Sequence, residues 1–267
     1  MGVGADKNIR MLDLGAGGAA SNMVAHEQPI RAAKFATVNG NSYLVTGSWD
    51  KKVKYWDFRS QNPVATLECQ DRVYTMDVRN QLLVIGCADR YINIVDLNQP
   101  DKFFKTIQSP LKYQTRVVSC FNDATGFAVG SIEGRCAIQY IDDKQTSNNF
   151  SFKCHRDTPA NDKNTSNVYS VNAISYHPEH GTFSTAGSDG TFHFWDGLAK
   201  HRLKGYPSTG QPITATAFNR QGTIFAYASC YDWSQGFQKN QPGQTTKVML
   251  HGVNPDEVKP RPKATRR

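Results

Sequence analysis

One pattern recurs along this 267-residue chain: an acidic residue, an alternating apolar stretch, and an aspartate seven positions further on. It stands in "DKNIRMLDL" from Asp6, "DKKVKYWDF" from Asp50, "DRYINIVDL" from Asp89 and "DGTFHFWD" from Asp189, with second acids Asp13, Asp57, Asp96 and Asp196. A degenerate copy, "EGRCAIQYI", begins at Glu133, and a last one is centred on "CYDW" at Asp232. Successive first acids lie 44, 39, 44, 56 and 43 residues apart, the long interval holding the polar insertion "RDTPANDKNTSN". Such a period belongs to folds built from repeated units, because one unit cannot bury its apolar face alone and must stack on its neighbours.

Within each interval the same order of short alternating segments returns. "PIRAAKF", "SYLVTGSWD", "VKYWDF" and "PVATLEC" read as four strands separated by turns. Four antiparallel strands at a spacing of roughly 40–45 residues describe the blade of a WD-repeat β-propeller. "RVYTMDV", "TRVVSCF", "VYSVNAISY" and "PITATAF" are the expected inner strands, apolar on both faces because neighbouring blades cover them. The chain opens in mid-blade: "GADKNIRMLDL" supplies a third strand and "AASNMVAH" a fourth. It closes on three, "PITATAF", "GTIFAYAS" and "TTKVMLH". The expected architecture is all-β, with four complete and two partial blades over residues 1–251 and a basic, proline-containing tail over 252–267.

The segment "IRMLDLGAGGAAS" matches the spacing of a dinucleotide loop and resembles the glycine loop of a methyltransferase. A phosphate cradle needs a helix N-terminus directly after the glycines. Here the glycines lead into "SNMVAHEQPIRAAKF", which is strand-like and interrupted by Pro29, so they are expected to be a turn and no cofactor is assigned. His26, Thr46, Asp50 and Trp56 could be taken for a hydrolase constellation. In a WD-type blade the same four residue types hydrogen-bond together and fix the turns, so they are assigned to structure. No G-x-S-x-G elbow, H-E-x-x-H pair or P-loop accompanies them, and no catalytic residue is assigned.

The six cysteines, Cys69, Cys87, Cys120, Cys136, Cys154 and Cys230, show no C-x-x-C spacing and mostly fall in alternating apolar segments. They read as buried free thiols, and no metal is assigned. The longest apolar runs are a few residues, far short of a membrane span, and "MGVGAD" lacks both a secretory leader and the Ser or Thr of a myristoylation signal. A soluble, intracellular protein without membrane insertion is expected. Of the formal charge of +8, five positive charges sit in "KPRPKATRR" (Lys259, Arg261, Lys263, Arg266 and Arg267). That stretch reads either as a solvated end or as a salt-sensitive tether for RNA.

Longer stretches carry a family resemblance. "GSWDKKVKYWDFRSQNPV", "NQPDKFFKTIQSPLKYQTR", "GSIEGR", "FKCHRD", "HPEHGTFSTAGSDGTFHFWD" and "FAYASCYDWSQG" together resemble the Rae/Gle family of mRNA export factors, from about Gly4 to Lys263. "LKYQTR", "GSIEGR" and "FKCHR" also resemble the mitotic-checkpoint Bub-type propellers, whereas "YDWS" with "QKNQP" favours the export factors. The resemblance implies a seven-bladed, non-enzymatic adaptor with no small-molecule substrate, which docks a Glu-rich hairpin of a nucleoporin and contacts mRNA or single-stranded RNA. It further implies a nuclear and nuclear-pore location with cytoplasmic shuttling, and ubiquitin and mitotic spindle proteins as partners. The Bub-type alternative is a checkpoint adaptor that binds a kinase hairpin at kinetochores.

Set against seven blades, this chain is expected to be an N-terminally truncated form with exposed sheet edges, marginally stable or prone to aggregate. Arg135, Lys153 and Arg156 are the candidates for clamping partner carboxylates, because a guanidinium can grip a carboxylate with two parallel hydrogen bonds. The alternative for the arginines is pairing within or between blades. Trp233, with Asp232 beside it in "YDWS", reads either as an exposed aromatic anchor or as inter-blade packing. Phe192 reads as the wall of an adjacent pocket or as core.

Overall fold

The computed structural model describes residues 1–261 except 14, 16, 17, 19 and 61. The chain divides into two compact units, Met1–Ala124 and Thr125–Arg267. In the first, β1 (Gly2–Val3), β2 (Asn8–Leu12) and β3 (Ala20–Val24) form a three-stranded sheet. Next come two four-stranded sheets with neighbours in chain order. One holds β4 (Ile30–Val38), β5 (Asn41–Ser48), β6 (Lys52–Trp56) and β7 (Ala65–Glu68); the other holds β8 (Val73–Arg79), β9 (Leu82–Cys87), β10 (Tyr91–Asp96) and β11 (Lys105–Gln108). The unit ends with β12 (Thr115–Cys120).

In the second unit, β13 (Gly126–Ser131), β14 (Arg135–Tyr140) and β15 (Phe150–Lys153) pair antiparallel and complete the fourth repeat. Then come a two-stranded ribbon, β16 (Arg156–Asp157) with β17 (Asn167–Val168), and a four-stranded sheet of β18 (Val171–Tyr176), β19 (Phe183–Gly187), β20 (Phe192–Asp196) and β21 (His201–Tyr206). A three-stranded sheet of β22 (Ile213–Phe218), β23 (Ile224–Ser229) and β24 (Lys247–Gly252) closes the series, with a helical turn α1 (Pro255–Val258) after it. The described residues thus pass through six blades. This corrects the expected four complete and two partial ones at the N-terminus, where Gly2–Val3 adds a strand by pairing Val3 with Ile9.

Local chemistry explains the meanders. Val38 pairs with Asn41 across the two-residue turn Asn39-Gly40, both left-handed (φ 50° and 79°), which matches the right-handed twist of the flanking strands. The register slips at one place in four repeats: Ile30/Ala32, Val73/Thr75, Val171/Ala173 and Ile213/Ala215. A bulge there adds one residue near the start of the first strand and re-aims the segment before it. The strands buried throughout are the second ones, β9, β13 and β19, whereas β8, β12, β18 and β22 mix buried and partly exposed positions. The expectation that first strands are apolar on both faces is therefore corrected. In the sheets β4–β7, β8–β11 and β18–β21 the first strand is an edge, while the second has a neighbour on either side.

Cores lie between successive sheets of a unit. Val45, Val53, Leu67, Val73, Met76, Leu83 and Ile85 form one, and Phe192, Phe194, Leu203, Ile213, Phe225 and Val258 another. The tail expected from residue 252 starts inside this second core. Val258 is 2% exposed, its carbonyl accepts from the Thr182 hydroxyl, and Arg261 donates to the Leu203 carbonyl. Lys263, Arg266 and Arg267 lie outside the described residues. The glycine segment lies between two antiparallel partners, Leu12 pairing with Ala20. Its described part holds a turn bond from the Gly18 amide to the Asp13 carbonyl, and a strand, not a helix, comes after it. The insertion "RDTPANDKNTSN" is the loop of the β16–β17 ribbon, which the sequence pattern does not reveal.

Candidate functional site

Each first acid opens the turn from a blade's second strand to its third. Asp50, Asp189 and Asp232 accept from the amide two residues on, which fixes the turn. The residue after the acid is left-handed in every repeat: Lys7, Lys51, Arg90, Gly134, Gly190 and Trp233, with φ between 61° and 75°. At two of these positions only glycine fits. A Cβ on Gly134 would stand 2.4 Å from the His155 carbonyl oxygen, and one on Gly190 would stand 2.6 Å from that of Gln211.

The predicted polar network is present. The Trp56 indole donates to Thr46 Oγ1 at 2.8 Å, Thr46 Oγ1 lies 2.7 Å from His26 Nε2, and His26 Nδ1 lies 2.9 Å from Asp50 Oδ2. Burial pushes the His26 pKa down, so the ring is neutral and Nδ1–H donates to the carboxylate. Burial alone would raise the Asp50 pKa; the hydrogen bonds from His26 and from the Glu27 and Lys52 amides outweigh it and hold the carboxyl below its ordinary value.

The sequence pattern misses a second network with the same wiring: Trp195 Nε1 to Thr185 Oγ1 at 2.9 Å, Thr185 to His155 Nε2 at 3.0 Å, and His155 Nδ1 to Asp189 at 3.0 Å. Thr to Trp is ten residues in both, but His to Asp is 24 in one and 34 in the other. The inserted ribbon stretches the spacing that would have identified it. His193 stacks on His155 at 5.2 Å, and burial drives its pKa down to about 4. In each network the Trp, Thr, His and Asp side chains satisfy one another's buried polar groups.

Of the candidate docking residues, the structure gathers three. Arg135 and Lys153 are register partners at the end of the β14–β15 ladder, and Arg156 Nε and Nη2 both donate to the Glu133 carbonyl, one residue before Gly134. Arg135 Nη2 donates to Ser151 Oγ at 3.2 Å, and Lys153 is exposed. Each guanidinium has five N–H donors, so these contacts orient the arginines without exhausting them. Trp233 is 58% exposed, since its left-handed backbone turns the side chain away from the sheet, and Tyr231 lies against it at 5.9 Å. Inter-blade packing of Trp233 is thereby set aside.

Two assignments are corrected. Phe192 is 2% exposed and stacks on Tyr206 at 4.2 Å, so it is core and not a pocket wall. Asp232 is 4% exposed and accepts from the Ser188 hydroxyl and the Ser234 amide, so it shapes the Trp233 turn and does not face a partner. In the first unit, a cleft of about 720 Å³ between β8–β11 and the approach to β12 went unforeseen; Arg72, Arg90, Lys112, Tyr91 and Tyr113 line it.

Comparison with known proteins agrees with this geometry. The family described as WD domain, G-beta repeat matches residues 20–57 and 151–196, the two stretches that hold the hydrogen-bonded networks and end at Asp57 and Asp196. The chain is 66% identical over 264 residues to the mRNA export factor GLE2 of Chaetomium thermophilum, covering 99% of this chain and 73% of that protein. It is 50% identical to the Poly(A)+ RNA export protein of Schizosaccharomyces pombe (98% and 73%) and 45% identical to the mRNA export factor of Danio rerio (97% and 71%). With the repeat, the turns and likeness at this level over nearly its whole length, the chain belongs to the Rae/Gle family of WD-repeat mRNA export factors.

Proposed function

We propose that this protein is a non-enzymatic adaptor in nuclear mRNA export, which docks a Glu-rich hairpin of a nucleoporin and contacts single-stranded RNA at the nuclear pore. The observation that carries the reading is the convergence of Arg135, Lys153 and Arg156 around Gly134, with two of the three side chains oriented by hydrogen bonds. A pre-oriented guanidinium loses little freedom on gripping a carboxylate, which suits an acidic strand. Exposed Trp233 supplies an aromatic anchor of the kind that dominates interfaces. Export is preferred to the checkpoint role because relatives at 66% and 50% identity are named for export.

The test is fluorescence anisotropy with a labelled Glu-rich hairpin peptide. Reversing Arg135 and Lys153 together to Glu weakens binding at least tenfold by placing like charges against the ligand. Arg156→Glu acts in the same direction but also removes its tie to the Glu133 carbonyl, so a thermal melt accompanies it. Unchanged affinity in the folded double variant would refute the docking role.

A further inference from the structure

We propose that the cleft of the first unit binds a nucleotide, an aromatic base carrying phosphate. It lies wholly within Met1–Ala124 and shares no residue with the docking set, so it stands or falls apart from the hairpin reading. Its volume, about 720 Å³, is that of a small-molecule site, and its wall mixes three kinds of group.

The first kind is cationic: Arg72, Arg90 and Lys112, against Asp89 on the wall and Asp71, whose carboxylate lies 3.7 Å from Arg72 Nε. Two of these cations are held in place, Arg90 donating to the Leu111 carbonyl at 3.3 Å and Arg72 lying over the Tyr74 ring at 5.7 Å. Arg90 comes directly after Asp89, and both are left-handed, which keeps the Arg90 side chain out of the β9–β10 sheet and on the cleft wall. The second kind is aromatic: Tyr91, which also packs against the core, and Tyr113, which is 58% exposed. The third is neutral and hydrogen-bonding. Gln108 and Gln114 carry side-chain amides that can pair with base edges.

Phosphate suits the cations, a stacked ring the tyrosines, and polar base edges the amides. An acidic peptide would use only the first. The nucleotide can arrive free or as part of a single strand, and the two sources are separable by measurement.

The experiment is binding of a mononucleotide and of a short single-stranded oligonucleotide to the full chain, by calorimetry and anisotropy, across a salt series. If the strand is the source, the oligonucleotide binds much more tightly; if the free nucleotide is, the two bind comparably. Tyr113→Ala, an exposed change that leaves the melt unaltered, weakens binding about fivefold or more through lost stacking. Arg72→Ala reduces the oligonucleotide's log–log salt slope by about 0.7, the share of one phosphate contact on a single strand. Failure of both ligands to bind at millimolar concentration would overturn the proposal. So would binding that ignores Tyr113, or a Glu-rich peptide that depends on Tyr113 where neither nucleotide binds. None of these results bears on the Arg135 and Lys153 test.

Discussion

The sheets β4–β7 and β8–β11 share strand order and bulge, yet they are held differently. The first locks its turns with the Trp56–Thr46–His26–Asp50 chain, every member of it buried or nearly so. The second has no such chain. Its buried polar side chains are Thr75 and Asn93; Asn93 donates to Gln70 Oε1 and to the buried Cys87 sulfur and accepts from the Thr106 hydroxyl, Gln70 and Thr106 being exposed residues, while β9 is buried from end to end. A blade's turns can thus be fixed by a His–Asp network, or left without one where apolar packing and a few local hydrogen bonds hold the sheet. The apolar blade keeps its Asp89–Arg90 turn free of a histidine, and that turn forms a wall of the cleft.

The sharpest way to break the contrast is to remove one hub from each. Thr46→Val leaves the Trp56 N–H and His26 Nε2 buried without partners, so a loss of about 2–6 kcal/mol is expected by urea denaturation, at about 1–3 for each orphaned group. Asn93→Leu frees Gln70 and Thr106, which water can reach, and removes a bond to the Cys87 sulfur, a weak acceptor, so less than about 1 kcal/mol is expected. Equal losses would show that the network is incidental.

A second comparison sets the two networks against each other, because only that of the second unit carries the extra imidazole of His193. Its folded pKa, about 4, lies below the ordinary 6.5, so the unfolded chain binds more protons between those values. Stability is full above pH 6.5 and falls as pH drops through that window, by at most about 2 kcal/mol between pH 7 and 5. His193→Gln should flatten that slope in urea midpoints measured at both pH values. His26, also depressed by burial, contributes in the same direction in the first unit.

The smallest effect concerns the left-handed turns. Trp233→Gly relieves a backbone conformation that L side chains resist and is expected to stabilise by about 1 kcal/mol, while hairpin binding weakens. A melting temperature that falls instead would mean that the indole packs on the body.

Strand order, turn positions and the first network were legible from the sequence because each depends on residues close in the chain: an acid, the residue after it, and alternation of period two. The features that the pattern could not show depend on insertion or depth. The ribbon at Arg156–Val168 displaced His155 from its expected spacing to Asp189. Phe192 and Trp233 are both aromatic and near blade turns, but one begins a third strand under Tyr206 and the other occupies a left-handed corner. Residue type alone cannot separate those fates. The cleft was unreadable for a different reason: its lining comes from segments as far apart as Arg72 and Thr115, and concavity has no local signature.

The six left-handed corners give the fold a property beyond rigidity. At the four that are not glycine, Lys7, Lys51, Arg90 and Trp233, the side chain leaves the sheet, so its identity is decoupled from the core that the strands must pack. A single codon change there can alter what a blade offers to the outside, from ammonium to guanidinium to indole, without disturbing its neighbours. New recognition specificities can therefore accumulate one corner at a time on a framework that stays the same.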